Sequence, residues 1–231
     1  VTDPTQQGLV DPPLDSAASL SLGEIASLAL KAARGSGLSW GESEEVGAAV
    51  RWLVARGLPG PDALALELTE IDGRIDHFRP VRDGSTWRSK SAAHSPLLLG
   101  IALSDHMAAD SELTLGAVLH PLLVIPFLSA AAADLGLSLT MAADGEVHVA
   151  FEAYSVSSPD WRAVSGKLLG ENISLRIGAD EQSNVLQPAG ERLAIASDTL
   201  SILQALAQRT YAPETEISRT RGAGSEQSDA D

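Results

Sequence analysis

From Leu113 to Ala133 the chain reads LTLGAVLHPLLVIPFLSAAAA without one formally charged side chain. A run of that length could cross a bilayer as a helix, so its fate decides what kind of fold is available. Pro121 and Pro126 interrupt it, His120 lies inside it, and much of it is weakly hydrophobic alanine. The flanking residues Glu112 and Asp134 are both acidic, so the cationic asymmetry that orients a membrane span is missing. The expectation is a segment buried within packed protein, with Pro126 opening a helix FLSAAAADLG that stops at Gly136.

A chain of 231 residues can bury about 70% of the surface its unfolded form exposes, which is enough for one large core or two small ones. Two helices are announced by the same device. In Ser21-Leu-Gly-Glu24 and Ser39-Trp-Gly-Glu42 the serine hydroxyl can accept from the third amide while the glutamate reaches back to the cap amide. The first helix places Leu22, Ile25, Ala26, Leu28, Ala29 and Ala32 on one broad face and is expected to stop at Gly35 and Gly37. The second carries Val46, Val50, Leu53 and Val54 and stops at Gly57. The short link between them predicts a helical hairpin. Gly60-Pro61-Asp62 predicts a third helix, running through Leu64, Leu66 and Leu68 towards Gly73.

Beyond residue 95 the periodicity changes. Ser95-Pro96 could cap a helix reaching Met107, although LLLGIAL would serve equally as a buried strand. Leu137, Leu139 and Met141 alternate on one arm and Val147, Val149 and Phe151 on another, joined by Asp144-Gly145. Asp-Gly tolerates the positive φ angles of a tight turn, so residues 137–154 are expected to form a hairpin. Ile173, Leu175 and Ile177 repeat the period, and ERLAIAS adds a short strand. Ser197 or Asp198 should cap a last helix bearing Leu200, Leu203 and Leu206, which ends before Pro213. Helices at both ends around a mainly antiparallel sheet define an α+β fold. The expected organisation is a flexible lead over 1–18, one domain over 19–211 and a polar tail over 212–231. The domain divides into a helical part, 19–73, and a mixed part, 74–211.

Thirty-one Asp and Glu against sixteen Lys and Arg give a formal charge of −15. Nucleic acid and anionic membrane surfaces would repel such a chain, so neither is an expected partner. No cysteine is present, which removes disulfides, thiolate catalysis and every cysteine-bearing metal site. The opening VTDPTQQGLVDPPLD is acidic and short of apolar residues, unlike a secretory signal, so a cytoplasmic location is expected. The five histidines, His77, His94, His106, His120 and His148, never pair at three or four residues and form no HExxH or HxH. No metal site is therefore expected. GxGxxG and Walker sequences are absent, and no cofactor is expected. The sequence carries no signal for oligomeric state.

Cations are scarce, so their grouping is informative. Arg74, Arg79, Arg82, Arg88 and Lys90 fall together beside His77 and His94. A second group comprises Arg209, Tyr211, Arg219 and Arg221 with Gly222 and Gly224. Arginine grips carboxylates or phosphates with a two-pronged fork, and glycine amides add donors. Arg88 and His94, and the C-terminal residues just named, are thus candidate contacts for a small anion. Ser104-Asp105-His106 holds the three residue types of a catalytic triad, but adjacency does not build one, since triads are assembled from separate elements. A helix surface or a helix end is the expected role, with Asp105 and His106 the candidates for acid–base chemistry.

Three stretches carry a resemblance. SLGEIASLALKAARGSGLSWGESEEVGAAVRWLVARGL, HSPLLLG and RTYAPETEISRTRGAG resemble a bacterial family known only as domain of unknown function 3726. The likeness extends over nearly the whole chain, the closing motif being its most specific part. It implies a soluble bacterial protein without an assigned activity. The opening helical pair is also similar to the N-terminal helices of the malate/L-lactate/sulfolactate dehydrogenases that lack a Rossmann fold. In that family a Ser-His-Gly motif after the second helix supplies the catalytic histidine. Here Gly57-Leu-Pro-Gly60-Pro-Asp62 stands in its place, without a histidine. The leading expectation is a protein that binds a small anionic metabolite or a protein partner. The alternative is a metabolic enzyme, either a degenerate relative of those dehydrogenases or a hydrolase using Asp105 and His106.

Overall fold

The computed structural model of the protein describes residues 18–84, 86–107, 112–144, 147–152, 155–178 and 184–211. The chain enters as a short strand, β1 (Ala18–Ser21), and turns at once into α1 (Leu22–Ser36). Both expected capping boxes form. Ser21 Oγ accepts from the Glu24 amide at 3.3 Å while Glu24 Oε2 accepts from the Ser21 amide at 2.8 Å. Ser39 and Glu42 repeat the exchange at 3.3 and 2.7 Å and open α2 (Trp40–Val54). Ser39→Ala leaves the Glu42 amide without its acceptor, so a loss of about 1 kcal/mol in urea unfolding is expected. Pro61 starts α3 (Gly60–Ile71) from its first turn, and Gly73 leaves it at φ 68°.

A one-turn helix, α4 (Ile75–Phe78), leads to a hairpin of β2 (Val81–Asp83) and β3 (Thr86–Arg88). The ambiguous LLLGIAL stretch is helical. Ser95 Oγ accepts from the Leu98 amide to cap α5 (Pro96–His106). The long uncharged stretch divides into β4 (Glu112–Leu119), a 3₁₀ turn (Pro121–Val124) and α6 (Ile125–Leu135), which ends at Gly136 in the left-handed region. Leu113, Leu115, Val118 and every residue from Pro121 to Leu128 are buried. No helix among the described residues is long and apolar enough to cross a membrane.

The expected hairpin is β5 (Leu139–Ala143) against β6 (Val147–Glu152), followed by β7 (Ser155–Ser157). Asp144 sits at φ 55°, and its carboxylate does more than permit the turn. Oδ1 accepts from the amides of Glu171 and Asn172 at 3.0 and 2.9 Å, and Lys167 Nζ lies 2.7 Å from Oδ2. Helix α7 (Trp161–Gly166) precedes β8 (Leu169–Ile177), and β9 (Arg192–Ile195) precedes α8 (Ser197–Gln208).

The architecture is α+β, as the periodicities predict. Seven strands lie in the order β2-β3-β4-β8-β5-β6-β7. All pairs are antiparallel except β3 with β4, which meet in parallel. Buried apolar residues from α1 through α8 form one continuous core.

Four local expectations need correction. Gly35 lies inside α1 and does not end it, because the helix continues to Ser36 and Gly37 supplies the left-handed stop at φ 110°. Neither Ser197 nor Asp198 caps α8. The Ala196 carbonyl already accepts from the Leu200 amide at 2.9 Å, and no side chain caps the end. Ala18, placed in the flexible lead, is paired with Ile195. The strand from ERLAIAS joins β1 in a separate two-stranded sheet, away from the seven-stranded one.

Candidate functional site

The cationic window folds into a two-sided element. Phe78, buried, anchors α4, and the β2–β3 hairpin projects from it. Val81 pairs with Arg88 and Arg82 with Trp87, so alternation puts Val81 and Arg88 on one face and Trp87 on the other. Trp87 is buried in the core. The opposite face forms a cleft of 470 Å³ lined by Asp76, Arg79, Val81, Arg88, Ser89 and Lys90. Three cations thus converge on one concavity of a strongly acidic protein.

Their commitments differ. Arg79 Nη1 holds Glu42 at 2.7 Å, with Asp76 3.4 Å from Nε, and the Glu42 contact raises the guanidinium pKa further. Burial alone would raise the Glu42 carboxyl, but bonds from Arg79 and Ser39 outweigh it and leave the group below its ordinary value. Arg79 is therefore fixed in place by α2. Arg88 meets Asp83 only at 3.6 Å, and both side chains are largely exposed, a pairing worth little in water. Lys90 is exposed and has no ion pair among the described residues. The other two cations of the window face elsewhere. Arg74 binds Glu70, and Arg82 donates to the carbonyls of Gly84 and His106.

The structure separates His94 from Arg88. His94 is 5% exposed, and its backbone is drawn inward by docking on β4 through the Ala117 carbonyl and Leu119 amide. Its Nε2 lies 3.2 Å from the Trp87 carbonyl, so in the neutral ring Nε2 carries the proton and donates. Burial lowers the imidazole pKa and outweighs the opposing Trp87 bond. Among the described residues the remaining Nδ1 has no hydrogen-bonding partner, and neither does the buried Trp87 indole nitrogen.

A residue that sequence reasoning missed lies in the same interior. Glu67 of α3 is 0% exposed, and among the described residues neither carboxylate oxygen has a partner within good hydrogen-bonding geometry. Burial drives its pKa up to about 8, partly opposed by the nearby Ser95 hydroxyl. The signal was present: Leu64, Glu67, Leu68 and Ile71 follow the spacing of a single apolar stripe, and only Glu67 breaks it.

The C-terminal candidates divide. Arg209 Nη1 sits 2.7 and 2.9 Å from the two Asp72 oxygens and ties the end of α8 to α3. Tyr211, 60% exposed, receives Lys31 Nζ at 3.3 Å, and both line a 580 Å³ groove between α1 and α8. Arg219, Arg221, Gly222 and Gly224 lie outside the described residues. Ser104, Asp105 and His106 occupy the exposed last turn of α5, where the Ser104 hydroxyl donates back to the Gly100 carbonyl. No hydrogen bond among the described residues joins these three side chains. His120 takes the left-handed conformation at φ 39° between β4 and the 3₁₀ turn, its amide bound to the Leu168 carbonyl. No three His, Asp or Glu side chains among the described residues gather as metal ligands.

A family model described as protein of unknown function (DUF3726) matches residues 20–94. This span runs from the first capping box to His94. It includes the whole cationic cleft but not the closing RTYAPETEISRTRGAG motif, so the match is narrower than the resemblance over nearly the whole chain. No curated protein and no solved structure matches the chain, and the resemblance to the dehydrogenase helices gains no support.

Proposed function

We propose that the protein binds a small anion, carrying a carboxylate or phosphate group, in the cleft of Arg79, Arg88 and Lys90. The observation that carries this reading is the convergence of three cations on one concavity in a chain of net charge −15. Arg79 is a fixed guanidinium whose charge Glu42 and Asp76 largely offset. Arg88 and Lys90, weakly paired or unpaired, are the groups able to close on a ligand. The apolar side chain of Val81 lines the same cleft and suits an organic anion with a short hydrocarbon body. A bacterial and cytoplasmic setting belongs to the same proposal, as does membership of the whole chain in the matched family.

Calorimetric titration with inorganic phosphate and with succinate tests it. The parent protein is expected to bind at least one of them saturably, and the Arg88→Ala/Lys90→Ala variant to bind about tenfold more weakly or worse. Both substitutions are on exposed side chains, so the melting temperature should hold. Equal affinity in parent and variant, or no saturable binding of either anion, overturns the proposal.

A further inference from the structure

A second concavity, chemically opposite to the first, lies where α2, α5 and α6 meet. It measures 290 Å³ and is lined from α2 by Glu45, Ala49 and Trp52, from α5 by Ser104 and from α6 by Pro126 and Phe127. Its walls are apolar and aromatic. Phe127 is held there by the absence of a side chain at Gly100, where a Cβ would stand 2.4 Å from the ring. The size suits a small ligand better than a drug-sized one.

One charge faces this apolar space. The Glu45 carboxylate has no ion pair or hydrogen bond among the described residues. Partial burial raises its pKa, and repulsion from Asp105 and Glu42 raises it further. Glu42 is already neutralised by Arg79, whereas Asp105 has no ion-pair partner among the described residues. Arg56, just past the end of α2, stacks 3.9 Å from the Trp52 ring and donates to the Trp52 carbonyl. Arg56 lines the neighbouring groove between α1 and α2 and is not among the residues of this cavity.

We infer that this cavity binds a small organic cation, an ammonium group on an apolar or aromatic body. The ammonium lies against Glu45, and the body fills the space between Trp52 and Phe127. Charge complementarity selects the cation: Glu45 is the one charged side chain lining the cavity and has no ion pair among the described residues, and the Phe127 ring offers an electron-rich face. This site is independent of the anion cleft.

Phenethylammonium chloride is the probe, with 2-phenylethanol as its uncharged counterpart of similar shape, both titrated at constant ionic strength and followed by calorimetry. Saturable binding of the ammonium is expected, with the alcohol about tenfold weaker and Glu45→Gln weakening the ammonium by a similar factor. Glu45 is exposed, so the variant should fold, and its melting temperature checks that it does. Trp52→Phe should remove any ligand-induced change in tryptophan fluorescence. Equal binding of ammonium and alcohol would mark the cavity as a merely apolar site and overturn the inference. So would a Glu45→Gln variant with parental affinity, or no saturable binding of the ammonium at millimolar concentration.

Discussion

Replacing Glu67 by glutamine is expected to stabilise the protein at alkaline pH and to flatten its pH dependence. In the unfolded chain this carboxyl ionises near 4.5, whereas in the folded protein it holds its proton to about 8. Between those values unfolding releases a proton, so stability falls as pH rises from 4.5 towards 8 and levels off above it. The full effect is about 5 kcal/mol, at 1.36 kcal/mol per pH unit. Near pH 4.5 the folded protein holds a neutral acid, and Glu67→Gln should differ little from the parent. At pH 8.5 the variant should be the more stable by several kcal/mol. Urea unfolding of both proteins across pH 5–9 measures the difference directly. His94 and His120 also titrate differently in the fold, their pKa values lowered by burial. Their contribution is lost as pH falls below the ordinary imidazole value, and it cancels when the two proteins are compared. Parallel pH profiles for parent and variant would show that Glu67 is not the source.

The second large effect is expected at Gly35. A Cβ added there would lie 1.8 Å from the Leu206 carbonyl oxygen and 2.7 Å from its carbon. Both are backbone atoms of α8 and cannot rotate away. Alanine would improve the intrinsic helix preference of α1 by about 1 kcal/mol, but α8 must shift to admit it. Gly35→Ala is therefore expected to lose about 2–3 kcal/mol net, or about 5–10 °C in Tm. Gly23 belongs to the same helix, and nothing lies within 4 Å of a Cβ there. Gly23→Ala should be neutral or slightly stabilising. A calorimetric scan that leaves Gly35→Ala at the parental Tm would mean that α1 and α8 are less closely apposed than described.

Those two positions show what kind of information the sequence holds. Features set within a few residues were legible, including both capping boxes, the proline start of α3, the glycine stop of α6 and the turn at Asp144. Features set by distant partners were not. LLLGIAL fits helix and strand equally until Ser95 caps it, and nothing local reveals that β3 runs parallel to β4. Gly35 reads as a helix stop because glycine usually is one; its use as a contact surface depends on α8, which lies far along the chain. The cationic window was visible as composition, yet the alternation that sends Arg88 outward and Trp87 inward required the hairpin register. Glu67 was legible as an acid within an apolar stripe. The Glu45 cavity was not, since its walls come from three helices separated in sequence.

The pairing of β1 with β9 also bears on how the molecule is made. Arg192 donates to Ser19 across 173 positions, and α8, which covers α1, follows immediately. During translation α2 can cover one side of α1 early, but the side that faces α8 must wait until almost all of the described chain has left the ribosome. Closing so long a loop is entropically slow, so this junction should be among the last to set. A nascent chain stalled before residue 192 would be a natural client for chaperones that bind exposed apolar helices.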